Sequence, residues 1–272
     1  MDTIGSYAFS TCRALTESRI PEGVTEIESS VFRGCANLET VTLPDSLEKI
    51  GSSVFTGTKW IRENEVNNMV ITNNGFLVKY TGTSRVLTIP KDIVYIAPYV
   101  FKDNASLEKV TIANNITTIP QYTFYNCDNL KEVNLPNNLE AIGERAFMNC
   151  GSLADIDFPD TLESIGQSAF EYCNNLNTVT LPDSVTTLSE NAFGNCTNLE
   201  EIWLSRGLEK IKNYTFMQCT NLAKIHIPDT ITVIEKNVFY NWDMTVVQTI
   251  YCQANSAAYD YAILKDIKIV IE

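Results

Sequence analysis

The residues best suited to chemistry are eight cysteines and one histidine. Seven of the cysteines stand three residues after a phenylalanine, and neighbouring members of this series are separated by 23 residues or a multiple of 23. The series comprises Cys12, Cys35, Cys127, Cys150, Cys173, Cys196 and Cys219, and Cys252 lies outside it. Regularly spaced thiols could form disulfides, ligate a metal or supply a nucleophile, and each use requires its own geometry.

The spacing argues against a metal site and against catalysis. A zinc ion needs four ligands around one point, whereas cysteines repeated at a fixed interval form a column that cannot converge. The chain has no CxxC motif, and a single histidine, His226, excludes a histidine cluster. The repeat phase places His226 on an outer strand face and Cys219 inside the preceding turn, so no Cys–His pair is expected. With no GxSxG, P-loop or GxGxxG motif, the sequence predicts neither an enzyme nor a cofactor site.

Aspartates that follow repeated prolines form a second series, in segments such as PDSL and PDTL. The series comprises Asp45, Asp160, Asp183 and Asp229. Aspartate after proline is typical of turns, where its side chain hydrogen-bonds locally. A calcium role for this acidic row is conceivable, but no loop of EF-hand or RTX type supports it. We therefore predict turn residues here and no metal site.

Disulfides and buried reduced thiols remain as alternatives for the cysteine series. Neighbours in a stack would be one strand spacing apart, which could just allow their Cα atoms to approach disulfide distance. Cysteine is, however, one of the most frequently buried side chains, and disulfide scaffolds are usually short chains that lack a core. The sequence favours a structural column of reduced thiols.

The same 23-residue interval orders the rest of the chain. Phenylalanine recurs at positions 9, 32, 55, 101, 124, 147, 170, 193, 216 and 239, and seven of nine prolines keep this phase. In the unit LNTVTLPDSVTTLSENAFGNCTN, Leu176, Val179 and Leu181 show the alternation of a half-buried strand, which Pro182 ends. Leu188, Ala192, Phe193 and Cys196 follow at the spacing of one face of a short helical turn. Since one unit cannot bury its apolar face alone, the units are expected to stack.

Stacking of about ten such units, at a strand spacing of about 4.8 Å, predicts a solenoid roughly 45 Å long. The pattern LxxVxLPxxLxxIxxxAFxxCxx resembles the BspA-type branch of the leucine-rich repeat family from Thr3 to about Phe239. This resemblance implies an α/β solenoid formed by a right-handed stack. A parallel β-sheet would cover one face and short helical turns the other, within a single domain over residues 1–272.

Two segments depart from the repeat. In residues 58–82, Asn74-Gly75 lies between two apolar runs, which predicts a β-hairpin inserted in place of one regular unit. This hairpin is either a projecting binding element or a spacer. In residues 245–272, we expect a strand at Thr249–Cys252, an N-cap at Ser256, a helix to about Leu264 and a strand near Ile267–Ile271, which together form a C-terminal cap.

Composition limits the possible partners. The formal net charge of −13 is the wrong sign for binding nucleic acid. No apolar run reaches the roughly 18 residues that a membrane span requires, so no membrane insertion is expected. The N-terminal residues lack the pattern of a signal peptide. Because the sequence opens in mid-repeat, an upstream cap or a longer parent chain is expected, and the resemblance implies a secreted or cell-surface protein.

The exposed face of the predicted sheet is the expected binding surface. Its outward column is mostly small and polar, but it becomes aromatic at Trp203, His226 and Tyr251. Tryptophan and tyrosine are frequent interface hot spots. Asp157, Asn134, Glu201 and Lys224 would form the polar rim of this site. Alternatively, Trp203 lies flat on its neighbours, contacts another part of a longer parent chain, or has no role.

Two functions follow from these observations. In the first, the protein is an interaction or adhesion module, and the resemblance implies a protein or glycoprotein ligand, such as one of the extracellular matrix. In the second, it is a structural spacer or display arm of a larger surface protein, with no binding site of its own. The aromatic cluster favours the first function, and the mid-repeat start favours the second.

Overall fold

The computed structural model of the chain describes residues 2–240 and 247–272. They form two compact units, each built on parallel strands, which are described separately. The first unit comprises the chain up to Gly82 together with Lys91–Phe101. The second comprises Thr83–Pro90 and the chain from Lys102 onwards. The single domain over residues 1–272 stays a prediction.

Short strands alternate with turns throughout the residues that the structure describes. Up to Tyr80 the elements are β1 (Thr3–Ile4), β2 (Glu17–Arg19), β3 (Glu26–Ile27), β4 (Thr40–Thr42), β5 (Lys49–Ile50), α1 (Lys59–Glu63), β6 (Glu65–Val66), β7 (Met69–Ile71) and β8 (Phe76–Tyr80). Then follow β9 (Val86–Thr88), β10 (Tyr95–Ile96), β11 (Lys109–Thr111), β12 (Thr118–Ile119), β13 (Glu132–Asn134), β14 (Ala141–Ile142), β15 (Ser164–Ile165), β16 (Thr178–Thr180) and β17 (Thr187–Leu188). The last are β18 (Glu201–Trp203), β19 (Lys210–Ile211), β20 (Lys224–His226), β21 (Val233–Ile234), β22 (Thr249–Cys252), α2 (Ala257–Lys265) and β23 (Lys268–Ile271).

Most regular repeats contribute one three-residue strand and one two-residue strand, and within each sheet these strands pair in parallel with their equivalents in neighbouring repeats. In the second unit, one set of strands forms the sheets ordered β13-β11-β9 and β16-β18-β20-β22-β23. The register places Val179 opposite Ile202 and Ile202 opposite Ile225, which are 23 residues apart. The chain is therefore a parallel-strand β-solenoid, as the repeat predicts.

The core consists of columns of identical or similar side chains. In the second unit, the rings of Phe124, Phe147, Phe170 and Phe193 stack nearly parallel, with centroids 5.2 to 5.3 Å apart. All four are fully buried. Offset stacking of this kind contributes beyond the burial of apolar area alone. In the first unit, Phe32 stacks in the same way between Phe9 and Phe55.

The sequence predicts short helical turns on the side opposite the sheet, but the structure has a different conformation there. In residues 143–150, the amides of Ala146, Met148 and Cys150 donate to carbonyls three residues earlier. The amides between them, on Arg145, Phe147 and Asn149, donate instead to the next repeat. Arg145 and Asn149 also have positive φ angles, which an α-helix does not allow. Alternate amides therefore join neighbouring repeats, and these segments are stacked turns.

One repeat of the second unit lacks its three-residue strand. Ile156 is buried at the expected position, but residues 155–157 form no ladder with the strands described on either side. Exposed Asp155 and Asp157 flank Ile156, and the ring of Phe158, where other repeats have leucine or isoleucine, packs edge-on against Phe170. The outward column is therefore interrupted at Asp157, which lies in an irregular segment and not in a strand.

The segment 58–82 has its own secondary structure in the first unit. Helix α1 was not predicted from the sequence; its N-cap Thr58 accepts a hydrogen bond from the amide of Ile61. Strands β6, β7 and β8 pair antiparallel, and β8 also pairs in parallel with β10. Gly75 lies in the turn between β7 and β8 at φ +79°, where a Cβ atom would be 2.6 Å from the carbonyl oxygen of Asp92. Glycine is therefore required at this turn.

The end of the second unit contains β22, α2 and β23. At the start of α2, the hydroxyl of Ser256 accepts a hydrogen bond from the amide of Tyr259. The helix ends at Asp266, which has the left-handed conformation. Strand β23 pairs in parallel with β22. Of the cap predicted over residues 245–272, residues 245 and 246 lie outside the described part. Neither helix among the described residues has the length and apolar character needed to cross a bilayer.

Candidate binding surface

Three aromatic side chains lie side by side on the exposed face of the five-stranded sheet. Trp203, His226 and Tyr251 occupy equivalent positions on β18, β20 and β22. The ring centroids of Trp203 and His226 are 4.6 Å apart, and those of His226 and Tyr251 are 4.3 Å apart, with interplanar angles of 11° and 21°. Parallel pairing brings the rings to stacking distance, because neighbouring strands are about 4.8 Å apart.

Two carboxylates hold the central ring of this aromatic stack. Nδ1 of His226 lies 2.8 Å from Oε1 of Glu272, and Nε2 lies 3.0 Å from Oε1 of Glu201. Both nitrogens can donate at the same time only when the imidazole is protonated. The other oxygen of Glu201 is 3.4 Å from Nζ of Lys224. The hydrogen bond with His226 and, to a smaller extent, Lys224 lower the pKa of Glu201, against the opposing effect of burial.

The structure brings together five of the seven residues that the sequence assigned to a binding patch: Trp203, His226, Tyr251, Glu201 and Lys224. Asn134 lies in the other sheet, where its side chain donates to Oγ1 of Thr111. Asp157 lies in the irregular segment. Glu272 was not predicted, although continuing the strand parity from Val270, the residue paired with Tyr251, would have placed it on this face.

One face of the Trp203 indole remains open. His226 covers the other face, and the in-register neighbour on the open side is the small, exposed Thr180. A cleft of about 380 Å³ is lined by Thr180, Trp203 and His226. Leu181, Leu204 and Ile227 contribute apolar surface, and Asp183, Arg206, Asp229 and Glu272 contribute charge. The arrangement offers an aromatic surface next to carboxylates, which is suited to binding.

A second hollow of about 370 Å³ lies beside the cleft, where the strand is missing. Asp155, Asp157 and Asp160 line it, and Thr180 lines both cavities. Apart from His226, Arg206 is the one basic side chain that lines either cavity within the part of the chain described here. Lys109 and Lys224, on the same side of the repeats, are paired with Glu132 and Glu201. The surface around the open face of Trp203 is therefore acidic.

The cysteines are thiols in the described chain. Six of the seven repeat cysteines are buried, whereas Cys12 is exposed and Cys252 lies in β22. The thiols of Cys150, Cys173, Cys196 and Cys219 each donate to the carbonyl of the phenylalanine 26 residues earlier, at 3.0 to 3.2 Å. In the first unit, Cys35 donates to Phe9 at 2.9 Å. Burial raises the pKa values of Cys127 and Cys219 to about 12. A buried thiol of this kind is a poor nucleophile and a poor metal ligand.

A labelling experiment can test the cysteine column. Cys12 is exposed, whereas the other seven cysteines are at most 4 % exposed. We expect a thiol-alkylating reagent to modify one of the eight cysteines quickly in the native protein and all eight in denaturant. Peptide mass spectrometry should locate the fast site at Cys12. Intact disulfides would instead appear, without reductant, as a mass deficit of about 2 Da per bridge, and would contradict the column of reduced thiols.

Comparisons with known proteins agree with this architecture. The family profile described as "BspA type Leucine rich repeat region" matches residues 2–131, 79–175 and 140–263. A leucine-rich repeat protein of T. pallidum (TpLRR) has a similar structure, with TM-score 0.55 and 24% identity over 72% of this chain and 89% of that one. A leucine-rich repeat protein of Bacteroides ovatus gives TM-score 0.52 and 25% identity over 92% and 72% of the two chains.

The pneumococcal vaccine antigen PcpA shares the fold, with TM-score 0.50 and 18% identity over 96% of this chain and 70% of that one. No curated protein matched the sequence. The family profile covers most of the chain, and the solved structures share its parallel stack of repeats. The chain belongs to the BspA-type leucine-rich repeat family.

Proposed function

We propose that this chain is a recognition module of a secreted or cell-surface protein, which binds a protein or glycoprotein through the exposed face of its parallel strands. Leucine-rich repeat proteins of this type typically mediate protein interaction or adhesion and are generally not enzymes. The net charge of −13 further favours a protein or glycoprotein partner over nucleic acid. A component of the extracellular matrix fits this proposal.

The aromatic stack on β18, β20 and β22 is the observation that carries the proposal. The equivalent outward positions on the strands that precede the stack in the second unit are Thr88, Thr111, Asn134 and Thr180, which are small and polar. Three adjacent rings therefore concentrate apolar and aromatic surface at one place. Tryptophan and tyrosine in such a setting, surrounded by polar residues, are typical of interface hot spots.

The proposal is tested by binding the chain to a panel of immobilised extracellular-matrix and plasma glycoproteins at physiological salt. Trp203→Ala and Trp203→Thr should weaken saturable binding at least tenfold, the effect expected of a hot spot. Threonine is the matched replacement, because it occupies the same strand position at Thr180. Thermal unfolding of each variant provides the folding control. Failure of the wild-type chain to bind any member would count against a recognition module.

The packing of Trp203 gives the second candidate function a specific basis. Its indole lies flat on His226, and Glu201 and Glu272 hold that ring from within the chain. A side chain already stacked in this way needs no partner to explain it. A structural spacer or display arm predicts that Trp203→Thr lowers thermal stability and leaves binding to every panel member unchanged.

A further inference from the structure

Trp203 and Thr180 line one cleft together with the carboxylates of Asp183, Asp229 and Glu272. Resting on the proposed function, we propose that this cleft receives a cationic side chain from a basic segment of the partner, with an arginine guanidinium stacked on Trp203 and paired with Asp183. The partner is thus a protein with an exposed Arg-rich or Lys-rich segment.

The first step of the argument is the geometry of the indole. His226 covers one ring face at a centroid distance of 4.6 Å. Thr180, the neighbour on the other side, has too small a side chain to cover the opposite face. Tryptophan is the most favourable aromatic partner for a cation, and arginine stacks on it more often than lysine does. The adjoining cleft, at about 380 Å³, has room for a guanidinium and its methylene stem.

The second step is the position of the counter-charge. Oδ1 of Asp183 accepts a hydrogen bond from the backbone amide of Arg206, with an N–O distance of 3.1 Å. This bond holds the carboxylate beside the cleft. Oδ2 lies 3.9 Å from Nη1 of Arg206, and both side chains of this pair are largely exposed. Such a pair contributes little in water and can exchange its cation for an incoming one. A guanidinium on Trp203 would therefore find an acceptor already in place.

The third step is the charge beyond the indole. The acidic hollow lined by Asp155, Asp157 and Asp160 continues from Thr180 on the side away from His226. No ion pair involving these three aspartates is found within the described residues. Further basic side chains of the same partner segment would lie next to these carboxylates, which complements their charge and speeds association. Charge and ring geometry thus favour the same ligand.

The probes for the test are fluorescent hexa-arginine, hexa-lysine and a neutral Gly-Ser hexapeptide, titrated with the whole chain at 0.15 M salt by fluorescence anisotropy. We expect binding in the order hexa-arginine, hexa-lysine, neutral peptide. Trp203→Thr should weaken hexa-arginine binding by about 2- to 30-fold, the range for a cation over an aromatic face, and remove the preference for arginine. Trp203→Phe keeps a ring face and should retain part of that preference.

A charge-matched pair of variants isolates the site from general attraction. Asp183→Asn and Asp128→Asn each remove one exposed carboxylate of the second unit, but Asp128 lies next to Cys127, on the turn side. Asp183→Asn should weaken hexa-arginine binding more than Asp128→Asn does. Equal losses, or a Trp203→Thr variant that binds like wild type, would overturn the proposed subsite and leave only unspecific attraction.

The cationic ligand and the recognition module can be tested independently of each other. A panel protein that binds wild type, loses binding to Trp203→Thr and is not displaced by hexa-arginine would support a recognition module and overturn the cationic ligand. Displacement by hexa-arginine but not by the neutral peptide would support both. Binding of hexa-arginine through Trp203, with no binding to any panel protein, would support the subsite and direct the search to other basic proteins.

Discussion

Phe170→Ala is expected to lower the free energy of unfolding by about 3 to 5 kcal/mol, as measured by urea denaturation. The ring of Phe170 is fully buried and stacks between Phe147 and Phe193 at 5.2 and 5.3 Å, and Phe158 packs edge-on against it. Alanine would leave a cavity in the middle of the phenylalanine column and remove the partner of three rings. The loss of stability therefore has three sources: less buried apolar surface, an unfilled cavity and the loss of ring stacking.

Phe158→Leu serves as the control for this prediction. It changes a ring in contact with Phe170, but it restores the leucine that other repeats have at this position, such as Leu181. Because Phe158 is only half-buried and leucine keeps an apolar side chain there, the cost is expected to be well below that of Phe170→Ala. A cost equal to that of Phe170→Ala would mean that the column does not dominate the stability of the second unit.

The phenylalanine column is the part of the fold that sequence predicts most directly. A strict 23-residue interval brings equivalent residues into contact once repeats stack in parallel, so Phe147 meets Phe170. Strand register follows from the same interval, as in the pairing of Ile202 with Ile225. Repetition fixes these contacts because a shift of one residue would expose every buried strand side chain.

The conformation of the turns could not be predicted from the 23-residue interval. Apolar residues at i, i+4, i+5 and i+8 suit one face of a helix, but they also suit stacked turns, since both bury one side of a segment. The difference lies in the amides: that of Phe147 donates to Ala169 in the next repeat and not within its own. Hydrophobic periodicity carries no information about which repeat supplies the acceptor.

In the candidate site too, some contacts could be predicted from the sequence and others could not. Trp203 and His226 could be aligned because β18 and β20 keep the 23-residue interval. Tyr251, 25 residues after His226, could be placed on the same face by strand parity alone. The contact of Glu272 with His226 depends on β23, which pairs outside the 23-residue interval. The period alone predicts a strand at residues 155–157, but the structure has an irregular segment there, with two exposed aspartates and with Phe158 in contact with Phe170.

His226 links the stability of the aromatic stack to its chemistry, and His226→Ala is expected to lower the free energy of unfolding at pH 7 by about 1 to 3 kcal/mol. The change removes stacking with Trp203 and Tyr251 and the contacts of two ring nitrogens with Glu201 and Glu272. His226→Phe keeps a ring between the two neighbours but loses both polar contacts. The free energy of unfolding of His226→Phe should lie between those of wild type and His226→Ala.

The pH dependence separates the two contributions. The pKa of Glu201 lies below its ordinary value of 4.5 because its ionised carboxylate is hydrogen-bonded by His226. A lowered carboxyl pKa contributes stability that is present above the ordinary value and lost as pH falls through the folded value. The stability difference between wild type and His226→Phe should therefore shrink in urea denaturation below about pH 4.5, while the difference between His226→Phe and His226→Ala persists. A wild-type advantage over His226→Phe that is unchanged at pH 3 would show that the carboxylate contact does not stabilise the stack.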